Sequence, residues 1–350
     1  MSDHYDPGAF KARVDAALEQ FVGQEYDQFL TIDPQLRPVA DQIVVATTHG
    51  KRLRAAFCYW GWRAAGQPDS DAVVRAAAAM ELVHAAAAVH DDIIDDSHLR
   101  HGLPTAHVKL REPLSDRPST KSSARALAML VGDMLMALAG QLFVASGLPS
   151  AYLSRARPLW ASLARELIAG ECLEILCTGA APDIAESLKV VRYKSAKYTV
   201  EQPLLIGGAL AGADPRLLKA LSAYGLPLGE AFQLRDDLLG LFGDPAQTGK
   251  ASLDDLRTRR PTALLAETWQ AADRTQRKQL RRLLNRCDPS NDDLHEIRDL
   301  MTRVQAPARI ESMITARVEE ATSALGGVGV TTHAARALTE LAHAATARRH

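Results

Sequence analysis

The sequence predicts an all-α fold, a single-domain helical bundle, on three observations. Alanine, leucine, arginine and glutamate, all strong helix formers, are abundant. Aromatic residues are only 5% of the chain, and runs of β-branched residues in strict alternation with polar ones, the mark of a half-buried strand, are nearly absent. Apolar residues recur at helical spacing, beginning with Phe10, Val14, Leu18 and Phe21.

That spacing predicts a first helix from Phe10 to Leu30, interrupted by Pro34 and Pro38. A second runs from Val39 through Ala65 and stops at Gly66 and Pro68. A third starts after Ser70, with Asp71 in its first turn, and continues through alanine-rich sequence to Asp96. Arg100 to Ser122, holding Gly102, Pro104, Pro113 and Pro118, is expected to be a mobile loop. Helices follow over about 123–146, 150–178, 183–211 and 214–242. A polar loop from Gly243 to Pro261 then precedes the last helices. No fixed-period repeat or Gly/Ser linker divides residues 1–350, so one domain is expected, with frayed tails at 1–8 and 345–350.

The formal net charge is −1, so no global basic field points to nucleic acid, and an anionic ligand requires locally placed cations. Cys58, Cys172, Cys177 and Cys287 form no CxxC pair, which suggests a reducing compartment. The first residues do not read as a signal peptide. The longest uncharged stretch, Met134 to Ser154, is broken by Gln141, Gly147 and Pro149, short of the ~20 apolar residues of a span. The expectation is a cytoplasmic protein without a transmembrane segment.

Three constellations carry chemistry. In His90-Asp91-Asp92-Ile93-Ile94-Asp95-Asp96, Asp91 and Asp95 lie one helical turn apart on one face. Their like charges repel unless a cation intervenes, and hard oxygen donors of this kind suit magnesium. A solvated acidic helix end is the plain alternative, but these carboxylates follow an apolar run. Gln233-Leu234-Arg235-Asp236-Asp237 repeats the pattern, suggesting two carboxylate walls that grip one diphosphate through a metal cluster. Gly50-Lys51-Arg52-Leu53-Arg54 is cationic, and its Lys51 and Arg54, three apart, would share a helix face and clamp a diphosphate without metal. Arg100-His101-Gly102, Lys194-Ser195 and Thr248-Gly249-Lys250 are looser phosphate-binding candidates.

Together these segments resemble the trans-prenyl diphosphate synthase family, in the family's order, from about Gly50 to Thr262. Asp91, Asp92 and Asp95 are similar to its first aspartate-rich motif, and Asp236 and Asp237, after Phe232-Gln233, to the second. Glu81-Leu82-Val83-His84, Tyr193-Lys194-Ser195-Ala196 and Thr248-Gly249-Lys250 resemble three further segments of it, and the wording around Tyr193 and Ala223 is similar to actinobacterial members. The resemblance implies a helical bundle around a deep central cavity, a homodimer, and condensation of isopentenyl diphosphate with an allylic diphosphate. It implies magnesium on Asp91, Asp95 and Asp236, with Asp92 and Asp237 acting through water. Lys51, Arg54, His84, His101 and Arg260 would bind substrate, Arg100, Lys194 and Lys250 would contact the allylic diphosphate, and Ser195 and Gln233 would steady charge beside Lys194.

Ala87 and Ala86 lie four and five residues before Asp91, one turn deeper. In the family, bulky aromatics there stop growth early, so two methyl groups imply a C20 or longer product, with Met134, Leu135 and Leu138 as candidates for the tunnel floor. The chain departs from the family's pattern at Gly240, in place of the last Asp of the second motif, and at His101, in place of Arg. It departs again at Glu171 and Glu174 in the GQxxD positions, at Arg260 in place of Lys, and at His49 and Ala55 beside the basic motif. These departures leave a catalytically weak partner subunit of a heteromeric synthase as an alternative. An HD-type metal phosphohydrolase could use His84, His90 and Asp91, but it leaves Lys51, Arg54, Asp236 and Asp237 without roles. A terpene cyclase shares the fold and a DDxxD but normally lacks the basic motif.

Overall fold

The computed structural model describes residues 5–116, 118–243, 259–286, 289–326 and 329–347, whose regular structure is helical apart from one minute hairpin. The all-α expectation holds. Contacts group the chain into two compact units, residues 1–157 with 206–213 and residues 158–205 with 214–350. The residues expected at Thr248, Gly249 and Lys250 lie outside the described residues.

In the first unit, α1 (Pro7–Ile32) starts where the Asp6 carboxylate accepts from the Gly8 and Ala9 N–H groups, and it buries Phe10, Val14, Leu18 and Val22 at every fourth position. A short 3-10 turn (Pro34–Leu36) leads into α2 (Arg37–Thr48). The single helix expected from Val39 to Ala65 is two, because α3 (Leu53–Ala64) begins anew after a break at His49–Arg52. Gly50 has φ 134° and Arg52 φ 55°, which no α-helix accommodates. The left-handed Arg52 is held by its own side chain, which donates to the Thr47 carbonyl at 2.6 Å, the His49 carbonyl at 2.9 Å and Asp15 at 2.6 Å.

Ser70 caps α4 (Asp71–Ile94), its hydroxyl accepting from the Val73 N–H. Ala76 to Ala79 are fully buried, and these small side chains let α4 lie along α6 (Thr120–Val144), its most extensive partner in this unit. Both helices are long and apolar enough to cross a bilayer, a test that core helices of globular proteins also pass; the apolar window of α4 is 72% buried. Between them, the segment expected as loop pairs β1 (Leu99–Arg100) with β2 (Leu103–Pro104) and forms a short α5 (Ala106–Lys109).

Helix α7 (Ser150–Cys177) carries the chain into the second unit. The one helix expected over 183–211 is three pieces: α8 (Ile184–Val190), a π-helix (Val191–Glu201) and α9 (Gln202–Ala211). Two glycines let neighbouring backbones press on the widened turn. A Cβ on Gly170 of α7 would lie 2.2 Å from Lys194 N, and one on Gly229 of α10 (Pro215–Phe242) 2.5 Å from Ala196 Cα. Leu234, Leu238 and Leu241 of α10 form a core with α11 (Ala263–Ala271), α12 (Arg274–Leu284), α13 (Asn291–Arg303) and α14 (Ala306–Ala324). The last helix, α15 (Thr332–Thr346), receives a hydrogen bond from the buried Tyr224 hydroxyl to the Leu338 carbonyl, 2.7 Å.

Candidate active site

The first unit assembles carboxylates and cations around α4. Asp91 and Asp92 lie in its last turn and Asp95 is its C-cap, so the expected face is present, with a 2.9 Å bond from the Asp95 N–H to the Asp91 carbonyl. Asp96, in left-handed conformation at φ 52°, turns the chain out of the helix. The hairpin then brings Arg100 back onto the motif. Its Nε and Nη2 donate to the two oxygens of the buried Asp92 at 2.9 and 2.8 Å, and Nη2 lies 3.4 Å from Asp91. This two-pronged pair is the strong form of a guanidinium–carboxylate contact.

The hairpin is tied in turn. The Ser97 N–H donates to the Asp92 carbonyl at 3.0 Å, and the Thr105 hydroxyl donates to the Ser97 carbonyl at 2.7 Å. His107, fully buried two residues on, faces Thr105 at 3.3 Å and Asp96 at 3.4 Å. Burial pulls its pKa down to about 4 against the opposing pull of Asp96.

The basic motif differs from expectation in one respect. Lys51 precedes α3 and is exposed, while Arg54 is buried in its first turn, so the two do not share a helix face. The left-handed Arg52 between them is the cause. Glu81, a buried acid within the alanine-rich run of α4, accepts from the Ala55 N–H at 2.8 Å and so caps the start of α3 that carries Arg54. In the sequence Glu81 is marked only as an acid inside an otherwise apolar run. His84, one turn along α4, is held well below the usual imidazole range by burial and then by the charges of Arg54, Arg100, His101 and Arg52. Both effects favour the neutral imidazole. The His101 ring lies 6.1 Å from that of His49. His90 turns instead to α6, with Nε2 3.1 Å from the Met129 carbonyl and 3.5 Å from Asp133. That leaves it badly placed for the ligand role a phosphohydrolase would need.

In the second unit, the π-helix presents Lys194 and Ser195. Lys194 Nζ pairs with Glu174 and, at 3.0 Å, with Glu171, a partnership that sequence reasoning did not foresee for these two departures. Ser195 donates to Gln233 Oε1 at 2.6 Å, and Gln233 Nε2 donates to Asp237 at 2.8 Å. A continuous polar line thus joins the π-helix to the second aspartate pair, and Asp236 is half-buried beside it. Arg235, the other polar residue of that motif, points elsewhere, donating to Glu311 at 2.6 Å and to the Thr346 carbonyl at 3.0 Å. Arg260 is half-buried just before α11. Ala86 is fully buried and Ala87 half-buried, one turn before the first motif.

Residues 34–301 match the family model described as Polyprenyl synthetase. The chain is 30% identical to the geranylgeranyl diphosphate synthase of Saccharolobus solfataricus, over 73% of this chain and 74% of that protein. It is 30% identical to the geranylfarnesyl diphosphate synthase of Aeropyrum pernix, over 86% of this chain and 90% of that one. Among solved structures, a geranylgeranyl pyrophosphate synthase from Corynebacterium glutamicum, complexed with isoprenyl diphosphate and magnesium, superimposes with a TM-score of 0.91 at 32% identity, covering 99% of this chain and 100% of that one. With three quarters of its length in one family model and the motifs of that family in order, the chain belongs to the polyprenyl synthetase family of trans-prenyltransferases.

Proposed function

We propose that the protein condenses isopentenyl diphosphate with an allylic diphosphate (dimethylallyl, geranyl or farnesyl) to an all-trans prenyl diphosphate of C20 or longer. The reading includes magnesium as cofactor, a homodimer, a cytoplasmic location, and no nucleic-acid partner or transmembrane segment. The observation that carries it is Arg100, which the hairpin brings onto Asp92 at 2.9 and 2.8 Å beside Asp91, with Arg54 on the turn of α3 that Glu81 of α4 caps. Carboxylates at the end of α4, with cations brought beside that helix from α3 and the hairpin, suit two diphosphates, one bound through metal and one directly.

The donor set fits magnesium, since Asp91, Asp92, Asp95, Asp236 and Asp237 offer only hard carboxylate oxygens. When bound, magnesium neutralises the allylic diphosphate and makes it a better leaving group. The chain's own residues do the rest. Lys51, Arg54, His84 and His101 hold isopentenyl diphosphate with its double bond toward the allylic carbon, a positioning effect. Arg100, Lys194, Lys250 and Arg260 contact phosphate oxygens. The Ser195–Gln233 pair steadies developing charge beside Lys194. In this reading the departing diphosphate takes the final proton. Ala86 and Ala87 leave room for a lengthening chain.

Incubating the purified protein with isopentenyl diphosphate, each allylic starter and magnesium, then sizing the products, tests this. Longer diphosphates reaching C20, lost on chelation and restored by magnesium, are expected. A released hydrocarbon, or no condensation by the chain alone, would overturn it.

A further inference from the structure

Helix α12 carries far more positive charge than its fold requires. Its packing needs are met by Leu280 and Leu283, which are buried in the core of the second unit. Around the rest of the helix and its end stand Arg274, Arg277, Lys278, Arg281, Arg282 and Arg286, all exposed, and Asp273 at the N-cap is the one acid of residues 273–286. The whole chain has a formal net charge of −1, so this concentration is local and set against an acidic remainder.

Stability accounts for only part of it, since Arg281 and Arg282 stand in the last turn, where the helix dipole favours cations. Arg274 and Lys278, Arg277 and Arg281, and Lys278 and Arg282 are like charges four apart, which weaken a helix. Arg274 and Arg277 also stand at the N-terminal end, where the helix dipole disfavours cations. Some of the charge is used internally. Arg282 pairs with Glu296 at 2.7 Å and Arg286 with Asp293 at 3.2 Å, while Arg277 donates to the Trp269 carbonyl at 2.9 Å. Arg274 and Lys278 have no acidic partner among the described residues, and Arg281 only stacks over the Trp269 ring at 5.2 Å. At 100° per residue these three fall within an arc of about 60° and a length of about 10 Å, opposite the buried leucines.

We infer that this face of α12 docks the protein on an anionic phospholipid surface. A row of guanidinium and ammonium groups on an exposed helix face suits a plane of phosphate headgroups. The choice of lipid among polyanions rests on the proposed prenyl product, whose hydrocarbon tail favours a bilayer over water. The cation row itself does not depend on that reading. Holding the enzyme at the bilayer shortens the path by which such a product leaves.

Co-sedimentation tests this without turnover, so its failure is separable from failure of the proposed reaction. The full chain is mixed with vesicles of phosphatidylcholine alone, or with about 30% phosphatidylglycerol, at about 0.1 M salt. Binding is expected only to the anionic vesicles and is lost at about 0.5 M salt. At roughly fivefold per cation, Arg274→Gln, Lys278→Gln and Arg281→Gln together reduce partitioning on the order of 100-fold, while solution turnover of soluble substrates is unchanged. Arg274→Lys with Arg281→Lys keeps the charge and retains binding. If the glutamine variant misfolds, the single Lys278→Gln change and the salt dependence of the native chain decide. No binding to anionic vesicles, equal binding by the folded glutamine variant, or tighter binding to duplex DNA than to vesicles at the same salt overturns the inference.

Discussion

Replacing Gly229 with alanine tests how the second aspartate pair is tied to the π-helix. The new Cβ would lie 2.5 Å from Ala196 Cα and 2.6 Å from its carbonyl oxygen, both backbone atoms that no rotamer change can move. Ordinary contact begins at 3.4 Å, so α10 and the π-helix must separate by roughly 1 Å, an overpacking that costs about 1–3 kcal/mol. The same shift acts on the 2.6 Å bond from Ser195 to Gln233, which crosses that interface. Stretched by about 1 Å it is no longer a hydrogen bond, and misplacement on this scale lowers kcat by roughly 10–100-fold. Gly140→Ala in α6 is the control, since its Cβ meets nothing within 4 Å and helix propensity then favours alanine by up to about 1 kcal/mol. Urea unfolding and steady-state prenyl transfer read both variants. If Gly229→Ala stays within about 0.5 kcal/mol of the native chain and keeps its kcat, the π-helix does not position Ser195 as described.

Glu81→Ala leaves the buried Ala55 N–H without its acceptor, costing about 1–3 kcal/mol, and raises KM for isopentenyl diphosphate because Arg54 shares that turn. Glu81→Gln, which keeps the acceptor, restores both values in the same titrations. His107 has a folded pKa of about 4 against 6.5 unfolded, so between these values the unfolded chain binds a proton that the folded chain refuses. Stability is therefore lost as pH falls from 6.5 towards 4, by on the order of 3 kcal/mol. Urea midpoints across that range should fall less steeply for His107→Gln, and an unchanged slope would remove His107 as the cause. Ala87→Phe is expected to shorten the product, read by sizing the prenyl chains, and an unchanged length would refute the alanine ruler.

Much of this is legible in the sequence. The all-α class followed from propensity and period, because both act locally and neither depends on what a helix meets. The two aspartate motifs were legible because carboxylates ending an apolar helix have few structural uses. Less local features were missed. The break between α2 and α3 depends on Arg52 reaching Asp15, a residue distant in the chain, and no helical pattern records it. The π-helix lies inside a stretch of good α-formers, and the glycines pressed against it belong to α7 and α10. Glu171 and Glu174 stood out only as departures from a motif, whereas the structure makes them the partners of Lys194.

The sequence by itself determined the helical class, the family's motifs and the chemistry available at each, since residue type and spacing along one helix carry that information. Only the tertiary structure decided that Lys51 stands before α3 with Arg54 buried, that Arg100 grips Asp92, and that Glu81 holds the start of α3 in place. Each of those depends on side chains from separate elements meeting within hydrogen-bond reach, which is a property of packing and not of period.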